Sequence, residues 1–342
     1  MTEQPSLAFV SDNASGICPE AWQALAAANQ GHALAYGADR WSRRAEELLR
    51  AYLESEEAEL FFVAGGTAGN ALALAHLGAS YRSILCHASA HIAVDECGAP
   101  EFFSGSKLLP LSGEDGKLTP ATVVAALEAR DDVHHPRPAV LALTQPTEAG
   151  TVYTPAELTE LTSLAHAHGL RVFLDGARFA NAQAHLGVEA AAISHRAGID
   201  AMVLGGAKNG LPPGEVVVFF DPELAEGFAG RRKQGGQLAS KQRFLAAPWV
   251  GVLESGAWLR HAAHANRCAR TLAAGLTSMD GVDLAFPVQA NAVFLRCTDS
   301  LRSRIEQAGW LLLEDIQPGT LRALCSWSTT DEELQQILDD LR

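Results

Sequence analysis

One stretch constrains this chain more than any other: a lysine set just past the end of a short apolar strand. In Ala201-Met-Val-Leu-Gly-Gly-Ala-Lys-Asn-Gly210 the run 202–204 reads as a buried strand. It ends in Gly205-Gly206, where a backbone without Cβ atoms can turn tightly beside a ligand. Lys208 and Asn209-Gly210 follow, then Pro212-Pro213. A lone loop lysine is ordinarily solvated. A lysine at the C-terminal mouth of a parallel strand lies where α/β proteins place ligands, and partial desolvation lets its amine attack a carbonyl.

A second stretch, Arg171-Val-Phe-Leu-Asp-Gly-Ala-Arg178, delivers Asp175 to the end of the preceding strand. A lysine and an acid at neighbouring strand ends meet the needs of pyridoxal 5'-phosphate (PLP). The lysine forms a Schiff base, and the aspartate keeps the pyridine nitrogen protonated.

Composition narrows the class. With 342 residues, 48% hydrophobic and 19% charged, the chain can bury a large core, in two domains or in one large and one small. No apolar run spans a bilayer, and the opening Met1-Thr-Glu-Gln-Pro5 has neither a basic start nor an apolar signal core. A cytoplasmic protein is expected, with no membrane partner. The net charge of −14 argues against nucleic acid. The six cysteines are scattered without a C-x-x-C pair, so neither zinc nor a disulfide framework is expected.

Along the chain, residues 8–13 read as extended. A helix starts at Pro19, and another over 40–53 follows the turn Tyr36-Gly-Ala-Asp39. Tyr36 is a packing aromatic or a residue near a cofactor. Strand 59–64 runs into Gly65-Gly-Thr-Ala-Gly69 and a helix over 68–77, a geometry that cradles phosphate on helical N–H groups, with the Thr67 hydroxyl beside them. Neither a Walker loop nor a G-x-G-x-x-G fingerprint is present, so a phosphate without a nucleotide fits better.

After the strand 83–86 come His87, His91, Asp95 and Glu96. Their spacing is not a recognised metal-ligand pattern, and an imidazole stacked on a flat ring needs no metal. Strand 139–143 ends in a loop carrying Glu148. Helices over 119–129 and 157–168 and a strand over 215–220 complete an alternating pattern, which reads as a doubly wound, mostly parallel sheet.

Residues 231–243 form a basic patch, either a solvated helix face or cations for a phosphate or carboxylate. A long helical pattern over 237–279 leads to a smaller α+β domain. It has strands over 292–297 and 321–327, a helix over 299–307 and a last helix from 331. Arg322 stands on an otherwise apolar strand, and a substrate carboxylate is a candidate partner. The boundary is expected near 250, giving a large domain of 1–250 and a small one of 251–342.

With these residues together, the chain resembles the threonine aldolases, PLP enzymes of the aspartate-aminotransferase fold (fold type I), nearly end to end. The resemblance is carried by Ser11-Asp12-Asn13, Tyr36-Gly-Ala-Asp39, Gly66-Thr-Ala-Gly-Asn70, Ala90-His91, Thr147-Glu-Ala-Gly150, Asp175-Gly-Ala-Arg-Phe-Ala-Asn181, Gly205-Gly-Ala-Lys-Asn-Gly210 and Arg322. It implies a fold with a large seven-stranded-type, mostly parallel sheet and a small C-terminal domain. It implies that Lys208 is the Schiff-base lysine, Asp175 the partner of the pyridinium nitrogen, and His91 the residue stacked on the ring. Gly66 and Thr67 would hold the phosphate. Arg178 and Arg322, with Ser11, would grip the substrate carboxylate. Tyr36 and Lys233 or Lys241 would reach a neighbouring subunit's site in a homotetramer built from dimers.

The implied activity is reversible cleavage of L-threonine, L-allo-threonine and related β-hydroxy-α-amino acids such as phenylserine to glycine and an aldehyde. His91 or Glu148 would act as base on the β-hydroxyl. Two departures from the family pattern stand out. Ala207 replaces the Ser or Thr that often precedes the lysine, and Glu148 stands where other members carry histidine. A β-eliminating lyase or an aminotransferase would share Lys208 and Asp175. A ligand-binding protein without activity would need none of these residues, and a nucleotide-dependent oxidoreductase lacks its fingerprint.

Overall fold

The computed structural model describes residues 6–128, 132–314, 316 and 318–342. The opening pentapeptide and the last residue of the helix expected over 119–129 lie outside the described residues. Eleven strands form two sheets among the described residues. The large sheet holds β1 (Glu59–Val63), β2 (Ser83–His87), β3 (Lys107–Leu111), β4 (Pro138–Thr144), β5 (Arg171–Gly176), β6 (Ala201–Leu204) and β7 (Glu215–Phe219), in the order β1-β7-β6-β5-β4-β2-β3. Only β7 runs against its neighbours, so the sheet is mostly parallel, as expected.

The strands read as continuous apolar runs because both faces are covered. Leu141, Leu143, Val172, Leu174, Met202 and Leu204 enter one core. Their alternating neighbours Val140, Ala142, Phe173, Ala201 and Val203 enter another. That period of two is the pleat itself.

The smaller sheet, β8 (Val282–Leu284), β9 (Ala292–Cys297), β10 (Leu313–Glu314) and β11 (Thr320–Leu324), is antiparallel in the order β10-β11-β9-β8. Its core includes Phe9 as well as Leu272, Val293, Leu321 and Ile337. The chain's opening segment therefore belongs to the packing of its end, and the Leu324 N–H donates to the Phe9 carbonyl at 2.9 Å.

Most helices fall where periodicity and caps place them. Asp39 caps the helix Arg40–Leu53 by accepting from the N–H groups of Trp41 and Ser42. Two expectations change. Residues 8–13 are not extended: they turn into a short 3-10 helix, Asp12–Ala14, capped by Ser11, because the Asp12 carboxylate is drawn inward to Arg178. The helical pattern over 237–279 divides into Arg243–Glu254 and Ala257–Thr277. Gly256 takes φ +67 between them, a left-handed conformation that a glycine adopts without strain. Strands β3, β8 and β10 carry no expectation from the sequence, since they are short and stand next to turns.

Candidate active site

Parallel strands aim their C-terminal ends at one edge of the sheet. β1, β2, β4, β5 and β6 share that direction, so the loops after them converge. The helix start after β1 carries Gly66 and Thr67, the short helix after β2 opens on His91, the loop after β4 carries Glu148, and the turn after β6 carries Lys208. Asp175 lies on β5 itself, paired in register with Thr144 and Val203. A narrow cavity of about 40 Å³ is lined by all six of these residues together with Arg178. It lies beside a wide cavity of about 960 Å³, lined by His91, Glu148, Arg178 and Lys208 as well as Ser11 and Arg322.

The crossover helix Gly66–Leu77 starts close over the sheet because Gly69 has no side chain. A Cβ there would lie 2.9 Å from Val203 Cγ2. One turn in, the buried Asn70 reaches the Asp175 carboxylate at 2.8 Å. Asp175 also accepts from the Ala177 N–H at 3.0 Å.

The Lys208 turn is held from several sides. Glu215, at the start of β7, accepts from the N–H groups of Gly206 and of Ala207, the latter at 3.4 Å. Burial pushes the Glu215 carboxyl up, against those backbone donors and the nearby Lys208. Asn209 donates to the Trp258 carbonyl at 2.8 Å, and the Gly210 carbonyl accepts from Cys18 at 2.8 Å. The loops after β5 and β6 touch at Gly205, where a Cβ would lie 2.6 Å from both Cα and O of Ala177. Gly205→Ala is therefore expected to force these loops apart, destabilising the fold by about 1–3 kcal/mol and lowering turnover. Denaturant unfolding and steady-state kinetics on the same variant check both effects.

Arg178 is clamped. Its Nε and Nη2 donate to the fully buried Asp12 at 2.5 and 3.0 Å, and Asn291 Nδ2 adds a third bond to Asp12 at 3.0 Å. Burial works to raise the Asp12 carboxyl, but the Arg178 guanidinium and its hydrogen bonds hold it below the ordinary carboxylate range. His91 donates its backbone N–H to Glu148 at 3.2 Å, and its Nδ1 lies 3.0 Å from Glu96. That bond raises the imidazole above its ordinary value, against the effect of burial. Burial, then the nearby Asp175, raises the Glu148 carboxyl.

Tyr36 and Lys241 line neither cavity. Tyr36 is exposed, and Lys233 Nζ sits 5.2 Å from its ring centroid. Asp12, Asn70, Glu96, Glu215 and Asn291 carry no assigned role from the sequence. Asp12 and Asn70 sit inside quoted motifs, so proximity to Ser11 and to Gly66-Thr67 was their signal. Glu215, an acid opening an apolar strand, had one too.

Whether PLP fits can be judged from the cradle. At both Gly65 and Gly66 an added Cβ would meet nothing within 4 Å, so the start of the helix opens onto empty space. The N–H groups of a helix's first turn have no helical acceptor and suit an anion. An amine, an acid and an imidazole line the same narrow cavity. These residues fit the cofactor.

The comparisons with known proteins agree. A family model described as beta-eliminating lyase matches residues 8–299. The chain is 50% identical over 343 residues to the low specificity L-threonine aldolase of Pseudomonas sp. (strain NCIMB 10558), covering 100% of this chain and 99% of that one. It is 51% identical over 335 residues to the enzyme of the same name from Pseudomonas aeruginosa, covering 98% and 96%. The solved structure of Leishmania major threonine aldolase superposes with a TM-score of 0.91 at 28% identity, over 97% of this chain and 98% of that one. The architecture is that of the PLP enzymes of fold type I. By sequence over its whole length and by fold, the chain belongs to the beta-eliminating lyase family and, within it, to the threonine aldolases.

Proposed function

We propose that this protein cleaves L-threonine, L-allo-threonine and related β-hydroxy-α-amino acids to glycine and an aldehyde, reversibly, at the edge of its large sheet. The observation that carries this reading is the convergence of Lys208, Asp175, His91 and Glu148 on one narrow cavity that opens beside Arg322. The cofactor is PLP, held by Lys208, Asp175, His91, Gly66 and Thr67; when bound it supplies a sink for the charge left on Cα as the Cα–Cβ bond breaks.

The chain's own residues do the rest. Arg322 on β11, with Ser11, binds the substrate carboxylate. Arg178, held rigid by Asp12, supplies a fixed positive charge at the same wall. Anchoring the carboxylate sets which bond at Cα stands ready to break, and such positioning accounts for much of the selectivity among competing reactions. The β-hydroxyl proton passes to His91 or Glu148, which share a backbone-to-carboxylate bond and both line the wide cavity.

The test is product analysis. Incubation of the PLP-loaded protein with L-allo-threonine is expected to release glycine and acetaldehyde in equal amounts. Release of ammonia and a keto acid instead would replace this reading with β-elimination.

Two further predictions follow from the proton carriers. Glu148→Gln and His91→Asn should each lower kcat roughly 10²-fold, the lower end of the usual contribution of a positioned acid or base. Full activity in both variants would remove the assignment. The pH profile carries a sign. A base must be ionised or neutral to accept a proton, and Glu148 has its carboxyl raised by burial. Activity should therefore fall as pH drops through a value above that of a solvated glutamate, and Glu148→Gln should delete that limb.

The exposure of Leu34 and of Tyr36, whose ring stands beside Lys233, supports a surface that meets a second subunit. In a homotetramer, Tyr36 with Lys233 or Lys241 would then complete a neighbour's site. Multi-angle light scattering on the protein and on Tyr36→Ala checks this. The six cysteines form no disulfide, which supports a reducing, cytoplasmic setting, and no helix among the described residues is long and apolar enough to cross a membrane. A division into a large and a small domain is supported by the two cores, which change over within the helix Ala257–Thr277 rather than at 250: one reaches Ala262, the other takes up Cys268 and also holds Phe9.

A further inference from the structure

A chain of buried polar groups lines the narrow cavity, and two of its members, Asn70 and Glu96, are not used by the reaction as outlined. Asn70 Nδ2 donates to Asp175 Oδ2 and to Glu96 Oε1, both at 2.8 Å. Glu96 Oε1 in turn lies 3.0 Å from His91 Nδ1. Asn70, Glu96 and Asp175 are 2%, 4% and 5% exposed, so water competes little for these bonds.

The chemistry of the donors fixes their direction. Both amide hydrogens of Asn70 are spent on carboxylate oxygens. Turned over, the amide would set its own oxygen against two acceptors, so this orientation is forced. Glu96 Oε1 accepts from Asn70, which leaves His91 Nδ1 as a donor. In a neutral imidazole with hydrogen on Nδ1, the Nε2 atom carries the lone pair. Two acceptors in the chain, Asn70 Oδ1 and Glu96 Oε2, are buried with no hydrogen-bond partner. A network serving stability alone has no reason to bear that desolvation.

We infer that Glu96 and Asn70 are positioning residues, which hold His91 in the tautomer that keeps Nε2 able to accept a proton and tie it rigidly to Asp175. The inference rests on the aldolase reading only for its effect on turnover, not for its effect on His91. Because Glu96 is a carboxylate, it also stabilises the imidazolium that forms when Nε2 takes a proton. The other charged groups acting on His91 are Asp175 from β5, Glu148 from the loop after β4 and Lys208 from the loop after β6. The first two favour its charged form and the third opposes it.

Glu96→Gln is the discriminating variant, since its amide oxygen can accept the same two bonds without the charge. The readout is the pH dependence of His91 acylation by diethyl pyrocarbonate, which attacks only neutral imidazole, followed by peptide mass mapping on the full chain with and without PLP. The midpoint for His91 is expected to fall in Glu96→Gln and to return towards the parent value in Glu96→Asp. In parallel, kcat should drop roughly tenfold to a hundredfold, as for loss of the partner behind a working histidine. The limb due to His91 should move to lower pH, because an imidazole with a lower pKa stays neutral further into acid.

An unmoved midpoint in Glu96→Gln would overturn the inference, as would a moved midpoint with unchanged kcat and pH profile. Should Glu96→Gln fail to fold, Asn70→Ala takes its place; it breaks the tie to Asp175, and an unchanged kcat and pH profile there would likewise overturn the inference. If the parent released no glycine while the His91 midpoint still fell in Glu96→Gln, the aldolase reading would fail and the tautomer-holding role of Glu96 would stand.

Discussion

Replacing Lys208 by alanine is expected to reduce threonine cleavage by more than about 10³-fold, the scale of losing a group that forms a covalent bond in catalysis. The turn that carries Lys208 is held by Glu215 through two backbone N–H groups, by the Trp258 carbonyl through Asn209, and by Cys18 at Gly210. None of these bonds involves the lysine amine. Lys208→Ala should therefore keep the fold, with an unchanged unfolding midpoint, while losing activity. Borohydride reduction of the parent loaded with PLP should fix the cofactor to the peptide containing residue 208, and the variant should give no such adduct. A variant that kept activity, or an adduct elsewhere, would remove Lys208 from its proposed role. Lys208→Arg should do no better than alanine, since a guanidinium does not lose its proton in this range.

Asp12→Ala is expected to have the largest effect on stability. It would leave the Arg178 guanidinium, only 17% exposed at the cavity wall, without its bidentate partner; breaking a fully buried pair costs about 3–5 kcal/mol, and access to the cavity puts this one at about the lower end. Turnover should also fall, by roughly a hundredfold, because a loosened Arg178 no longer fixes the wall against which substrate is aligned.

A double variant separates the two effects. Asp12→Ala with Arg178→Met removes both charges and should recover much of the lost stability, since well-packed apolar residues often replace a buried pair without penalty. It should not recover activity. Urea unfolding of the four species in the cycle gives the coupling between the two residues directly. Recovery of activity in the double variant would show that Arg178 acts only structurally.

The same pair sets a pH dependence. The Asp12 carboxyl is held below its ordinary 3.8, so the unfolded chain takes up its proton first as pH falls. Its stabilisation is present above about 3.8 and is lost as pH drops through the lower folded value. Acid unfolding of the parent should therefore be steeper below that pH than that of the double variant.

Much of the site was legible in the sequence because parallel strands simplify the problem. Once residues 202–204 and 172–174 read as buried strands, the positions of Lys208 and Asp175 beyond or at their ends followed from chain direction alone. Gly65-Gly66 and His91 came into view for the same reason, each lying just past a strand. The charge and cysteine spacing argued against nucleic acid and a disulfide scaffold without reference to any fold.

What only the tertiary structure decided is the set of contacts between segments far apart in the chain. Asp12 meets Arg178 and Asn291, and Asn70 meets both Glu96 and Asp175. A carboxylate in a sequence carries no mark of its partner, because hydrogen bonding depends on distance in space and local patterning depends on distance along the chain. Residues 8–13 show the consequence. They read as an extended segment, yet they turn, because an ion pair with a residue more than 160 positions away outweighs local preference. The strand ends, and with them the residues that meet there, follow from local sequence; the network that orients those residues is settled only when the sheet, its crossover helix and the opening segment pack together.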